Sequence, residues 1–178
     1  MYKVCFVVKG RFTMEIWDAY NENGEPVGID LVRGQKVPEG LFHIVSEILV
    51  VHKDGTYLLM QRDLNKSQFG GYYEASAGGS ALKGETPYTA AVRELKEETG
   101  IKSTELNQIY RFVEKDSRSI YYGFLCETDC DKNSVTLQAG ETISYLWIEK
   151  DEFLKFMESD KCISMQRDRL KNYLDLIK

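Results

Sequence analysis

The apolar and polar positions of the chain predict several strands, one well-marked helix, further strands and two closing helices. Residues 42–52 are mostly apolar and rich in valine and isoleucine, which is typical of a strand buried on both faces. An Asp-Gly hairpin turn follows, and residues 56–62 return as the partner strand. Near the C-terminus, residues 151–159 and 165–177 carry apolar side chains at helical spacing. This order predicts an α/β (α+β) domain in which helices cover a mixed sheet.

Shorter extended segments surround this core. Those on its N-terminal side are residues 1–9, 14–20 and 27–32, with a turn at 21–24. Those that follow it are residues 72–77, which enter a Gly78-Gly79 loop, and then 106–114, 120–127 and 141–148. We therefore expect residues 1–40 to form a small N-terminal β extension and residues 41–178 to form the main domain.

Composition and charge narrow the function classes. With 178 residues, 43% hydrophobic and 29% charged, the chain can build a substantial core and does not resemble a disordered protein. A net charge of −5 gives no basic surface for general nucleic-acid binding. No apolar run reaches membrane-spanning length, and the four cysteines lack the pattern of a zinc or disulfide framework. We expect a cytoplasmic protein that binds neither nucleic acid nor membrane.

Both ends of the central helix are marked in the sequence. Thr86 is suited to cap its first backbone N–H groups, and Pro87 occupies the first helical position, where a missing N–H costs nothing. Gly100 supplies the left-handed residue that ends a helix. The sequence therefore predicts a helix over residues 87–99.

Three carboxylates share one face of this helix. Glu94, Glu97 and Glu98 stand at positions i, i+3 and i+4, and Arg93 can pair with Glu97 one turn on. Like charges at this spacing repel, so the cluster is either a solvated acidic face or a site for a hard divalent cation with oxygen ligands. The glycine-rich loop before the helix and the position of Arg93 favour the cation site.

The same stretch resembles the signature box of the Nudix hydrolase family. The matching positions are Gly79, Glu85, Arg93, Glu94, Leu95, Glu97, Glu98, Gly100 and Ile101. This resemblance implies an α/β/α sandwich whose loop–helix–loop binds Mg²⁺ or Mn²⁺. It also implies hydrolysis of the diphosphate bond in a nucleoside diphosphate linked to another moiety.

Roles for individual residues follow from the resemblance. Glu94 and Glu98 are expected to be the main metal ligands, with Glu97 as a further ligand or water-positioning group and the backbone carbonyl of Gly78 as an additional donor. The residues expected to support the loop and helix are Gly79, Glu85, Arg93 and Gly100. The general base is open between Glu97 and Glu141, which lies just before the last strand.

Other candidate residues have two interpretations each. Arg62, at the end of its strand, either contacts a substrate phosphate or forms a surface salt bridge. His43 lies in an apolar run and is expected to be a hydrogen-bonded core residue. Four tyrosines could stack on a substrate ring, but packing is favoured for most of them, namely Tyr72, Tyr73, Tyr121 and Tyr122.

Outside the box, the chain resembles the isopentenyl-diphosphate-isomerase-like branch of the family. The residues that carry this looser resemblance are Glu15-Ile16-Trp17-Asp18, Asn23-Gly24, His43, Leu58-Leu59-Met60-Gln61-Arg62 and Glu74-Ala75-Ser76-Ala77-Gly78-Gly79. The catalytic cysteine and the histidine ligand of the isomerases fall on Gly78 and Ser80, and no glutamate occupies residues 118–120. Hydrolase chemistry on an isomerase-like scaffold is therefore favoured.

Two alternatives remain, an isopentenyl-diphosphate isomerase and a non-catalytic regulator that binds a nucleotide derivative. The expected partner is a small phosphate-containing substrate. A homodimer formed through the N-terminal β segment is a further expectation, made by analogy.

Overall fold

The computed structural model describes residues 14–75 and 77–178. The predicted strand at residues 1–9 lies outside this part of the chain. The strands are β1 (Ile16–Tyr20), β2 (Pro26–Val32), β3 (His43–His52), β4 (Tyr57–Arg62), β5 (Tyr73–Glu74), β6 (Ala77–Ser80), β7 (Leu106–Glu114), β8 (Ser119–Thr128) and β9 (Thr142–Ile148). The helices are α1 (Pro87–Thr99), α2 (Lys150–Glu158) and α3 (Ser164–Ile177), with a short 3₁₀ turn at Lys132–Ser134.

Seven strands form a mixed sheet around β3. The order β5-β4-β3-β8-β7 runs through the sheet, with β6 paired to β3 and β9 paired to β4. The β3–β8 pair is parallel from His43 and Ser119 to His52 and Thr128, and the other pairs are antiparallel. The mixed sheet expected from the order of the elements is confirmed.

Both faces of β3 are covered, as its apolar sequence predicted. Ile48 and Val50 point into a core shared with Ala91 and Leu95 of α1. Leu49 points the other way, into a second core built with α2 and α3. Because side chains alternate along a strand, one strand supplies both cores. The sheet therefore lies between α1 and the α2–α3 pair, which is the predicted α/β/α arrangement.

The predicted strand at residues 72–77 is wrong in its extent. It is divided into β5 and β6, and the Gly78-Gly79 pair predicted as a loop forms part of β6. Gly78 pairs with Glu47 of β3, and a Cβ at Gly78 would lie 2.4 Å from the backbone oxygen of Ser46. The missing Cβ is what allows this close pairing, so the two glycines continue the sheet.

The N-terminal hairpin β1–β2 forms a separate two-stranded sheet that packs against the loop entering α1. Trp17, Ala19 and Leu31 are buried, and the partly buried Leu82 of that loop packs against them. The Gly84 N–H donates to a carboxylate oxygen of Asp18 at 2.7 Å. The hairpin therefore supports the loop. The boundary at residue 40 between the N-terminal extension and the main domain stays a prediction.

Candidate active site

The helix α1 begins and ends where the sequence predicted. The Thr86 hydroxyl accepts from the Thr89 N–H at 3.1 Å, and the Thr89 hydroxyl accepts from the Thr86 N–H at 2.9 Å. This reciprocal pair satisfies two backbone donors at the N-terminus. At the other end Gly100 is left-handed, with φ of 75°, and its N–H donates to the Lys96 carbonyl. The acidic face is thus fixed at both ends.

Arg93 ties the helix to the loop in front of it. Its Nε and Nη2 donate to the two carboxylate oxygens of Glu85, each at 2.8 Å, and Nη2 also donates to the Ser80 carbonyl at 3.1 Å. Its Nη1 contacts Glu94 at 2.7 Å and Glu97 at 3.1 Å, which confirms the predicted pairing with Glu97. The hydrogen bonds from Arg93 lower the pKa of Glu85. These contacts hold the carboxylate-bearing face in one orientation toward β6.

Glu98 is the most deeply buried of the three helix carboxylates. Its side chain accepts from the Gly78 N–H at 2.8 Å, and the residue is only 6% exposed. Burial, followed by the neighbouring charges of Glu74, Glu94 and Glu141, raises the pKa of Glu98 to about 8. One backbone hydrogen bond does not compensate for burying the charge of Glu98. The ionised carboxylate would therefore be stabilised by a nearby cation.

The Glu94 carboxylate of α1 lies against Gly79 of β6. A Cβ at Gly79 would lie 2.3 Å from the Glu94 carboxylate, so only glycine leaves room for that carboxylate in its present position. Burial raises the pKa of Glu94 even though Arg93 pairs with it. By contrast, the Glu97 side chain is 46% exposed.

Two further carboxylates come close to Glu98. Glu74 of β5 is half-buried, its desolvation raises its pKa, and it pairs with Arg62 at 2.9 Å. Arg62 is thus engaged in a half-buried ion pair, and its predicted phosphate contact stays a prediction. Glu141, just before β9, pairs with Lys66 of the loop after β4. Each of these two carboxylates thus forms an ion pair with a positively charged side chain at the edge of the site.

The donor set fits a hard divalent cation. In residues 14–75 and 77–178, no three His, Cys, Asp or Glu side chains are already gathered in metal-binding geometry. However, Glu94 and Glu98 are buried acids with raised pKa values beside the Gly78 backbone, and carboxylate and carbonyl oxygens are the ligands that Mg²⁺ takes in proteins. A bound cation would remove the electrostatic cost of ionising both.

His43 is a core residue, as the sequence indicated. It is 9% exposed and stacks on Trp17 with ring centroids 4.3 Å apart. Its Nε2 is 2.9 Å from the Ser119 hydroxyl, and its Nδ1 is 3.4 Å from that of Ser80. Burial lowers its pKa to about 4, so it is neutral near pH 7.

A known protein family matches the part of the chain that contains this site. The family model described as the NUDIX domain matches residues 42–166, which include the whole loop–helix–loop. The chain belongs to the Nudix family. It is accordingly a pyrophosphohydrolase that acts on small phosphate-containing substrates, and Nudix hydrolases generally need divalent metal ions.

Similar sequences include hydrolases and isomerases of the Nudix family. An uncharacterized Nudix hydrolase of Listeria monocytogenes is 34% identical over 154 residues, covering 84% of this chain and 89% of the relative. An isopentenyl-diphosphate Delta-isomerase of Corynebacterium diphtheriae is 27% identical over 150 residues, covering 78% and 81%. Both branches anticipated from the sequence are therefore among its relatives.

Solved structures support the Nudix fold. A Deinococcus radiodurans protein has a TM-score of 0.66 at 21% identity, covering 82% of this chain and 90% of that protein. The Nudix domain of Shewanella oneidensis NrtR, crystallised with ADP ribose, has a TM-score of 0.53 at 14% identity, covering 69% and 80%. At these identities the comparison establishes the fold alone.

Sequence reasoning assigned no individual role to two charged residues that form ion pairs across the sheet or its strands. Glu74 appeared only within the isomerase-like motif, although a lone acid in a stretch of small and aromatic residues was a usable signal. Arg169 of α3 is buried and pairs with Glu47 of β3. In the sequence, the position of Arg169 next to Leu170, in the apolar stripe of that helix, could have indicated its burial.

Within the described ranges, 14–75 and 77–178, no helix is both long enough and apolar enough to cross a membrane.

Proposed function

We propose that this Nudix protein is a Mg²⁺-dependent, or Mn²⁺-dependent, hydrolase that cleaves the diphosphate bond of a nucleoside diphosphate linked to another moiety. The observation that carries the proposal is the burial of Glu98 beside Glu74, Glu94 and Glu141, which raises its pKa to about 8. An acid cluster of this kind favours a divalent cation over water as its partner.

Glu94, Glu98 and the Gly78 carbonyl would hold the cation, with Glu97 as a further ligand or as the residue that orients water. When bound, Mg²⁺ neutralises diphosphate charge and lowers the pKa of a coordinated water. Arg93 positions the carboxylates through Glu85 and the Ser80 carbonyl, so it acts on the reaction indirectly.

The proton of the attacking water has two candidate acceptors. The carboxylate of Glu141 pairs with Lys66 and lies close enough to Glu98 to influence its ionisation. The carboxylate of Glu97 is exposed and pairs with Arg93. Arg62 is proposed to contact a substrate phosphate, for which it would exchange part of its pairing with Glu74.

The isomerase alternative is disfavoured by the backbone at Gly78. Isomerisation of a carbon–carbon double bond requires a proton donor and a proton acceptor on opposite faces of the substrate. A cysteine at position 78 would place its Cβ 2.4 Å from the Ser46 carbonyl oxygen, so this backbone has no room for the missing thiol. The relatives named as isomerases keep this function as the second candidate.

A hydrolysis screen distinguishes the three candidates. Nucleoside diphosphate-linked compounds and isopentenyl diphosphate are incubated with Mg²⁺ or Mn²⁺, and products are separated, with Glu98→Gln as the blank. Release of a nucleoside monophosphate by the wild type alone supports the proposal. Formation of dimethylallyl diphosphate would indicate the isomerase, and binding without turnover would indicate a regulator.

The cytoplasmic location and the homodimer stay predictions. The β1–β2 hairpin through which a dimer was expected packs on its own chain, through Trp17, Ala19 and Leu31.

A further inference from the structure

A wide groove lies between α2 and the strands β4, β5 and β9. It has a volume of about 820 Å³. Its apolar and aromatic lining comes from Leu59, Tyr72, Tyr73, Leu146, Ile148 and Phe156. Tyr72 and Leu146 are each 44% exposed. The groove shares no lining residue with the carboxylates around Glu98, so hydrolysis at that site does not account for this apolar surface.

The strand β9 forms an open edge of the sheet beside this groove. Within residues 14–75 and 77–178 it pairs with β4 alone, so the backbone N–H and C=O groups on its other side face no strand. Natural proteins commonly protect such an edge with charged residues or proline, but the sequence of β9, TISYLWI, contains neither. Two of its apolar side chains are exposed, Ile143 at 40% and Leu146 at 44%. An edge with these properties is suited to pairing with a further strand.

The regular part of this edge is short and has Leu146 at its centre. The β4–β9 register shifts between Gln61 and Arg62 and skips Ile143, so a bulge interrupts β9 near its start. Residues 144–148 stay in continuous register with β4. If two copies of this segment pair antiparallel about a two-fold axis at its centre, Leu146 lies opposite itself and one groove lies on each side of the axis.

The rim of the groove carries charges of both signs. Its two acids and two bases are Glu152, Lys155, Asp160 and Lys161. All four are exposed, and none takes part in an ion pair in the described part of the chain. Glu152 lies in the first turn of α2 and Lys161 lies just beyond its last turn. A two-fold axis sets α2 antiparallel to its copy and brings Glu152 of one chain toward Lys161 of the other, so the rim complements an identical rim.

We propose that this groove and edge bind a second copy of the chain, with the two β9 strands pairing antiparallel about Leu146. The two sheets then form one continuous sheet, and the two α2 helices lie on the same face of it. This arrangement pairs the free backbone groups of β9, covers Leu146 and pairs the charges of the rim. A small molecule would leave the strand edge open, and a partner of one charge sign would match only half of the rim. The proposed face is distinct from the β1–β2 hairpin.

The mass of the full chain in solution tests this interface without metal or substrate. Sedimentation velocity is measured in EDTA over a series of protein concentrations. We expect a wild-type dimer at roughly micromolar concentration, and we expect Leu146→Lys to raise its dissociation constant about a hundredfold, because a charge enters the strand edge twice. Leu176→Lys is the matched control, since Leu176 is 85% exposed on α3 outside the groove, and it should leave the dimer unchanged.

Charge reversal tests the two-fold arrangement separately. Glu152→Lys and Lys161→Glu should each weaken the dimer about tenfold, because each brings like charges together across the axis. The variant that combines both changes restores opposite charges and should regain most of the wild-type affinity. Both side chains are exposed, so the fold is expected to be unaffected, which circular dichroism checks.

Three results would contradict the proposal. A wild type that is monomeric at every concentration would overturn it. A dimer that Leu146→Lys leaves intact would place the interface elsewhere, for example on the β1–β2 hairpin. Loss of the dimer in both single charge variants without recovery in the combined variant would refute the two-fold arrangement. Hydrolysis is assayed independently, because an inactive dimer would overturn the proposed function and leave this interface standing.

Discussion

Replacing Glu98 by glutamine is expected to stabilise the metal-free protein while ending hydrolysis. Glutamine keeps an oxygen that can accept from the Gly78 N–H, at 2.8 Å in the wild type, and it removes the charge. The wild-type carboxyl group is buried among Glu74, Glu94 and Glu141, so ionising it without a cation is unfavourable. At this position the negative charge that hydrolysis requires therefore lowers the stability of the metal-free protein.

The size of the effect follows from the pKa of Glu98, which is 4.5 ordinarily and about 8 in the folded protein. Between these values the folded state holds a proton that the unfolded chain has lost, so the free energy of unfolding falls as the pH rises. Glutamine does not ionise, so the free energy of unfolding of the variant does not fall with pH for this reason. At ~1.4 kcal/mol per pKa unit, Glu98→Gln should gain at most about 2 kcal/mol at pH 6 and about 4 kcal/mol at pH 8.

Urea unfolding in EDTA at pH 4, 6 and 8 measures this gain. Below pH 4 the two proteins should have nearly equal stability, since both states of the wild type are protonated. Glu97→Gln is the matched control, because its side chain is 46% exposed and loss of its ion pair should cost at most about 1 kcal/mol. Mg²⁺ should stabilise the wild type and have less effect on Glu98→Gln. A variant less stable than wild type at pH 8, or a gain independent of pH, would refute this account.

Three further predictions concern the residues that support the site and the identity of the general base. Arg93→Lys cannot reproduce the paired hydrogen bonds to Glu85, so kcat should fall about 10–100-fold in steady-state assays, and an unchanged kcat would exclude a positioning role. Gly79→Ala would place a Cβ 2.3 Å from the Glu94 carboxylate and should weaken Mn²⁺ binding in calorimetry, whereas wild-type affinity would show that the Glu94 side chain can move aside without loss of the site. Glu141→Gln should remove the acidic limb of the pH–rate profile if Glu141 is the general base, and an unchanged limb would leave Glu97 as the candidate.

Much of the candidate site could be predicted because its signals are local. The cap at Thr86, the left-handed Gly100 and the spacing of the helix carboxylates all act within a few turns of one helix. The pairing of Arg93 with Glu97 also follows from helical geometry alone.

The extent of β6 could not be predicted in the same way. Gly78 and Gly79 look like loop residues in the sequence, since glycine weakens strands in isolation. Both pair with β3, and the absence of a side chain permits this, because a Cβ at Gly78 would clash with the Ser46 carbonyl oxygen and one at Gly79 with the Glu94 carboxylate. That constraint comes from a segment some thirty positions away and has no local signature.

The sequence by itself determined the order of the elements, the two buried faces of β3 and the acidic face of α1, because each depends on periodicity or on caps between near neighbours. Only the tertiary structure decided which acids lie close to Glu98, and that Arg169 pairs with Glu47. Burial, charge pairing and cavity shape depend on residues distant in the chain, and no spacing rule connects those residues.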